Sequence, residues 1–225
     1  MKLLLRIAYD GRNYCGFQKQ HNGVSIQEVL TDALSRTVGM PCSVTGCSRT
    51  DAGVHAIGFC AAVEPKEKQD GKWITVPPEK MHRAARRYLP EDIAITGACL
   101  VPEDFHPRYS VTGKTYLYRF SDRPCHDPFC TDRVWETYVP LTDAQIVHMH
   151  EAGQILVGKH NFASLWLPVP KSRTPPGRSR LCPWQDWMKI QWGCGYRRMD
   201  FCIIWYGSSP VLCGNSVHGE LRRKN

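Results

Sequence analysis

The residues best placed to do chemistry lie in the stretch Gly46-Cys47-Ser48-Arg49-Thr50-Asp51-Ala52-Gly53-Val54-His55-Ala56. Two short apolar runs, 42–47 and 56–63, flank it and read as strands. Between them stand an arginine, an aspartate two positions on, and a glycine two beyond that. Asp-Ala-Gly is turn chemistry: aspartate tolerates unusual backbone angles, and glycine takes positive φ without steric cost. A turn joining two strands lifts its carboxylate off the sheet, to where a substrate can reach it. An ionised carboxylate presented in this way can act as a nucleophile or take up a proton. An isolated Arg-x-Asp-x-Gly is most often a plain surface turn. The weight therefore falls on the full eleven residues and on the elements that hold them.

Those elements can be read in order. Leu3, Leu5, Ile7 and Tyr9 alternate with Leu4, Arg6, Ala8 and Asp10, the pattern of a strand with one buried face. Asp10-Gly11-Arg12-Asn13 turns the chain. Ser25 caps a helix, Glu28 completes a capping box, and Ile26, Val29, Leu30, Ala33 and Leu34 form its apolar stripe up to Gly39. After the two strands around Asp51, the charged stretch 64–72 reads as a loop. Pro77-Pro78 open a second helix carrying Met81, Ala84, Ala85, Tyr88 and Leu89, which Pro90 ends. Its other face holds Lys80, Arg83, Arg86 and Arg87, most often a solvated face and less often one that tracks phosphates. Residues 93–101 read as a strand. The order strand, helix, strand, strand, helix, strand is the split βαβ, ferredoxin-like pattern.

Further along, Tyr116, Tyr118 and Phe120 alternate with Leu117 and Arg119, so one face of this strand is aromatic. It predicts either a sheet face packed on a core or a wall on which a base stacks. A polar loop follows, then a strand near 134–139. Thr142 and Gln145 cap a helix with Ile146, Met149, Ala152 and Leu156 inward, ending at Gly158.

Composition sets the outer bounds. The 225 residues suit one large domain or two small ones. A formal charge of +8 favours a polyanionic partner without proving one. Eleven cysteines show no Cys-x-x-Cys and no zinc spacing with histidine, and most read as buried small apolar residues in a reducing cytosol. The apolar run at Met1–Arg6 is too short for a signal peptide, and no window reaches transmembrane length. Rossmann, P-loop and metal spacings are absent.

The stretch around Asp51 resembles the active-site motif of the tRNA pseudouridine synthase A (TruA) family. The segment 9–20 is similar to that family's opening motif, with Phe17 where tryptophan is more usual. Phe105-His106-Pro107-Arg108-Tyr109-Ser110 and the strand through Tyr116 resemble its second signature, and 158–164 a further one. The resemblance implies an α+β pseudouridine synthase fold of two ferredoxin-like lobes with mostly antiparallel sheets around a basic cleft. The lobes would be 1–105, carrying the Asp51 loop, and 106–225. It implies isomerisation of uridine to pseudouridine in the anticodon arm of tRNA by a cytoplasmic homodimer, with no metal or small-molecule cofactor. Asp51 would be catalytic and Tyr116 would lie over the uracil. Arg108 matches the family pattern as a substrate contact. Arg49 is a candidate partner for the Asp51 carboxylate or a contact to phosphate. Arg12, Lys19 and Lys114 are candidate RNA-backbone contacts on charge and place. His55 and His106 match the motifs and read as structural.

The resemblance stops near Ser164. The family's next strand and its closing Met-Val-Arg helix are missing, and 181–225 hold four tryptophans and four cysteines with little periodicity. Such composition suggests sequence not selected to fold. A shifted reading frame is one explanation, since codons for 171–179 exist that give the expected strand when read one base earlier. A divergent tail is the other. The alternative function is accordingly a catalytically inactive RNA-binding remnant of the family, and, further off, a basic interaction module.

Overall fold

A computed structural model describes residues 1–67, 73–157 and the backbone of two strands at 188–195 and 198–206. It divides into two compact units, Met1–Val111 and Thr112–Asn225.

In the first unit the elements are β1 (Lys2–Tyr9), α1 (Ile26–Val38), β2 (Cys42–Gly46), β3 (Ala56–Pro65), α2 (Met81–Arg86) and β4 (Ile93–Val101). A single 3-10 turn at Pro78–Lys80 leads into α2. The sheet order is β2-β3-β1-β4, with every neighbouring pair antiparallel. The alternation in β1 acts as predicted: Leu3, Leu5, Ile7 and Tyr9 are buried. They meet Ile26, Leu30, Ala33, Leu34 and Val38 of α1, with Met81 and Ala85 of α2 in the same buried set. Burying each of the leucines contributes about 1.5–3 kcal/mol. Gly39 ends α1 at φ 79°, a left-handed position that suits glycine.

Several expectations need correction here. Ser25 Oγ accepts the Glu28 N–H at 3.2 Å, but the Glu28 carboxylate turns to Lys19 Nζ at 3.1 Å, so the capping box is only half made. The expected loop 64–72 loses Glu64 and Pro65 to β3, where they pair with Ser43 and Cys42. The helix expected from Pro77 to Leu89 is a 3-10 turn and six α residues. Its end tightens where Tyr88 N–H bonds back three residues to the Ala85 carbonyl.

The second unit holds β5 (Gly113–Ser121), β6 (Trp135–Glu136), α3 (Asp143–Ile155), β7 (Met188–Gly195) and β8 (Arg198–Tyr206). The sheet order is β6-β5-β8-β7; β5 and β6 are parallel and the other pairs antiparallel. The strand expected over 134–139 shrinks to two residues. Glu136 gathers His126 Nδ1 at 2.7 Å, the Asp127 N–H at 3.0 Å and the Tyr138 hydroxyl at 2.6 Å, and Tyr138 stands at φ 56°. A left-handed residue cannot extend a strand. The hydrogen bond from His126, with those from Tyr138 and the Asp127 N–H, lowers the Glu136 pKa to about 2. The Thr142–Gln145 capping box forms in full. Ile146, Met149 and Leu156 are half-buried, but Ala152 is exposed and Gly153 takes the buried place, and the helix ends at Ile155. Gly158, the 158–164 motif and the segment 171–179 lie outside the described residues. Within 181–225 the backbone forms the β7–β8 pair.

Among the cysteines whose side chains are described, Cys42, Cys47 and Cys130 are buried, Cys15 and Cys60 half-buried, and Cys99 and Cys125 exposed, so full burial does not cover most of these.

Candidate active site

Asp51 sits on the connection between β2 and β3, and the way that connection is held follows from glycines and backbone hydrogen bonds. The Val54 N–H bonds to the Asp51 carbonyl at 3.3 Å, closing a β-turn in which Gly53 stands at φ 78°. That angle belongs to the third residue of a type II turn, where glycine is preferred. The turn then docks on the segment after β1. Phe17 N–H donates to the Thr50 carbonyl at 3.1 Å, and Gly53 N–H to the Tyr14 carbonyl at 3.3 Å. The Tyr9 hydroxyl lies 3.0 Å from Thr50 Oγ1. Burial, ahead of the Thr50 contact that opposes it, pushes the Tyr9 phenol up to about 12.

Two glycines permit this approach. A Cβ on Gly11 would fall 2.1 Å from the Val54 carbonyl oxygen, and one on Gly16 2.5 Å from that of Thr50. Beneath them the Phe17 and Phe59 rings stack with centroids 4.3 Å apart.

The rim of this interlock is polar. Asp10 receives Arg12 in a forked pair, Nε to Oδ1 at 3.0 Å and Nη2 to Oδ2 at 2.9 Å. Chiefly through that pair its carboxyl is held well below the usual carboxylate range. His55 Nδ1 lies 3.1 Å from Asp10 Oδ1 and 3.3 Å from the Gly11 nitrogen. Across the chain, Asp92 accepts the Tyr14 hydroxyl at 2.6 Å, and burial with that bond raises the Tyr14 phenol. Gln27 of α1 adds a brace, donating to the Val44 carbonyl at 2.7 Å and accepting the Lys19 N–H at 2.8 Å.

The Asp51 carboxylate itself is exposed and opens on a hollow of about 340 Å³ lined by Gln18, Lys19, Gln20, Arg49 and Thr50, among others. Arg49 shares the hollow and is exposed, but among the described residues it makes no ion pair with Asp51; the local pairing considered from sequence is not made. Lys19 reaches the same hollow while paired with Glu28. Arg12 is engaged by Asp10 at the rim. Arg108 is exposed beside a closed turn: its N–H donates to His106 Nδ1 at 3.2 Å, and the His106 and Tyr109 rings stand 4.5 Å apart. In the second unit Tyr116 and Tyr118 of β5 are 45% and 62% exposed, while Phe120 on the same face is 9% exposed. The aromatic face is thus open at its first two residues and packed at its third. Lys114 lies half-buried on the same strand.

Sequence reading placed Tyr9 in the first strand and Asp10 in the turn after it without seeing what they hold, and it missed Asp92 and Gln27 as parts of the site's frame. The Tyr14–Asp92 contact spans 78 positions and leaves no trace in local pattern.

No group of three or more metal-ligating side chains occurs among the described residues. No helix among them is long and apolar enough to cross a membrane.

Residues 6–110 fit the family model described as tRNA pseudouridine synthase. Curated relatives narrow it. The tRNA pseudouridine synthase A of Syntrophotalea carbinolica is 40% identical over 161 residues, covering 71% of this chain and 60% of the relative. That of Nitrosomonas europaea is 36% identical over 175 residues, 77% of this chain and 60% of the relative. That of Ruminiclostridium cellulolyticum is 39% identical over 161 residues, 72% and 62%. Over these stretches the chain is similar to tRNA pseudouridine synthase A. It spans about 60% of the length of the curated relatives it matches.

Proposed function

We propose that this chain converts uridine in tRNA to pseudouridine, with Asp51 as the catalytic residue. The observation that carries the reading is the Asp51 turn, clamped through its backbone to the segment after β1 while its carboxylate stays open to a hollow. The reaction is an isomerisation. The bond from ribose C1′ to N1 of uracil breaks, the base turns, and C5 bonds to C1′; the C5 proton is lost and N1 gains one. Nothing is oxidised and no group is imported. The carboxylate serves as nucleophile or as proton acceptor near C1′ and C6.

The target nucleotide must leave its stack, at a cost of a few kcal/mol. Stacking on Tyr116 offsets part of that, at about 1–3 kcal/mol per base. Arg49 and Arg108 are proposed as substrate contacts, and Arg12, Lys19 and Lys114 as contacts to the RNA backbone. Arg12 and Lys19 would give up part of their ion pairs with Asp10 and Glu28 to do so. The β2-β3-β1-β4 order with its two helices supports a ferredoxin-like first lobe. A second such lobe from 106 onward, a basic cleft, action on the anticodon arm, a homodimer and a cytoplasmic site complete the proposal by likeness to the family.

The test is direct. Purified chain is incubated with unmodified tRNA, and pseudouridine is mapped beside an Asp51→Ala variant. Product from the wild type alone supports the reading. Binding of tRNA without product marks an RNA-binding remnant instead, and neither binding nor product leaves a basic interaction module.

A further inference from the structure

The outer face of α2 is cationic. Met81 and Ala85 are buried, and the opposite side presents Lys80, Arg83, Arg86 and Arg87, all exposed. Helix-surface cations are commonly satisfied by acids three or four positions away. Glu79 and Glu91 stand at such spacings from Arg83 and Arg87. Even so, none of the four cations makes an ion pair with an acid among the described residues. The arrangement tightens at Tyr88. The Arg87 guanidinium lies 5.7 Å from the Tyr88 ring centroid, and that of Arg36 from α1 lies 4.5 Å from the same centroid. Two guanidiniums drawn to one ring repel each other, and only Arg36 has an acid, Asp32 at 3.6 Å. An anion at this spot would relieve that repulsion.

Topology relates the face to the Asp51 turn. Tyr9 at the end of β1 pairs with Ala56, which opens β3, and with Ile93, which opens β4. The α2 segment leads into Ile93, so its arginine-bearing end approaches the end of the sheet that carries Asp51. Asp92, which closes that connection, holds the Tyr14 hydroxyl of the same frame.

We infer that this face of α2 binds the phosphodiester backbone of RNA, at a place apart from the nucleotide presented to Asp51. The inference rests on the tRNA reading above. Guanidiniums match phosphate oxygens in a two-pronged geometry, and three of the four cations are arginines. Between the cations the exposed side chain is His82, with no apolar residue there to enter a lipid surface.

The test uses the full chain and an unmodified tRNA transcript, with affinity measured over a series of salt concentrations. Each phosphate contact contributes about 0.7–0.9 to the slope of log K against log salt. A variant carrying Lys80→Gln, Arg83→Gln, Arg86→Gln and Arg87→Gln is expected to lose about 3 from that slope. The pair Arg83→Gln and Arg86→Gln should lose about 1.5. A control pair of equal charge, Arg6→Gln and Lys66→Gln, should lose less than half as much. An unchanged slope in the α2 variants, or an equal loss in the control pair, overturns the inference. Loss of binding to phosphatidylserine vesicles with an unchanged RNA slope also overturns it, assigning the face to a membrane. Pseudouridine mapping separates the two readings. Product formation with an unaltered slope sinks this inference alone, whereas salt-sensitive α2 binding without product sinks the enzyme reading and leaves the face standing.

Discussion

Gly16→Ala tests the clamp on the Asp51 turn with the least chemical change. Gly16 stands at φ 107°, and an added Cβ would lie 2.5 Å from the Thr50 carbonyl oxygen and 3.2 Å from the Asp51 carbonyl carbon. Both neighbours are backbone, so no side chain can swing aside; the two segments must part by about 1 Å to reach ordinary contact. An L residue in left-handed backbone costs about 1–2 kcal/mol. Disturbing the Phe17 N–H to Thr50 carbonyl bond adds about 1 kcal/mol. The expected destabilisation is therefore about 2–3 kcal/mol, or a fall of roughly 1–1.5 M in the urea midpoint at a slope of about 2 kcal/mol/M. Gly39→Ala is the control: it has a similar left-handed φ, 79°, but no atom within 4 Å of the new Cβ, so its cost stays near 1 kcal/mol. A displacement of about 1 Å in a reacting carboxylate lowers turnover on the order of 100-fold. Pseudouridine formation per folded molecule should then fall in Gly16→Ala and hold in Gly39→Ala. If Gly16→Ala unfolds at the same urea concentration as Gly39→Ala, the close approach does not constrain the turn. If it is less stable but turns over normally, the clamp does not position Asp51.

Two other outcomes follow from the same frame. The Tyr9 phenol, with its pKa raised to about 12 in the folded chain against about 10 unfolded, favours the folded state fully below pH 10 and loses that contribution as the pH rises toward 12. Tyr9→Phe should therefore flatten the alkaline fall in stability followed by circular dichroism; an unchanged profile would refute the assignment. Leu30 is fully buried in α1 against the sheet, so Leu30→Ala should cost about 2–5 kcal/mol in urea unfolding. A loss under 1 kcal/mol would mean that α1 does not carry the core.

Much of the first unit was legible because its signals are local. The alternation from Leu3 to Tyr9, the Ser25 cap, the α1 stripe and Gly39 each set one element by backbone geometry and burial alone. The strand at 93–101 was read to the residue. Asp51 was legible as a carboxylate on a turn, because Asp-Ala-Gly specifies a turn within itself. Where an element's extent depends on distant partners, the reading failed. Nothing near 134–139 says that Glu136 will collect His126, the Asp127 N–H and Tyr138 and so cut the strand to two residues. Nor does the helical pattern after Pro78 show that it stops at Arg86.

By itself, then, the sequence determined that a carboxylate stands on a turn between two strands, and the order of elements that presents it, since both are written in short-range pattern. The tertiary structure alone decided how that turn is held. The Tyr9–Thr50 contact, the Gly11 and Gly16 approaches and the Tyr14–Asp92 bond join residues 34 to 78 positions apart, and such pairings exist only once the sheet has brought the chain back on itself.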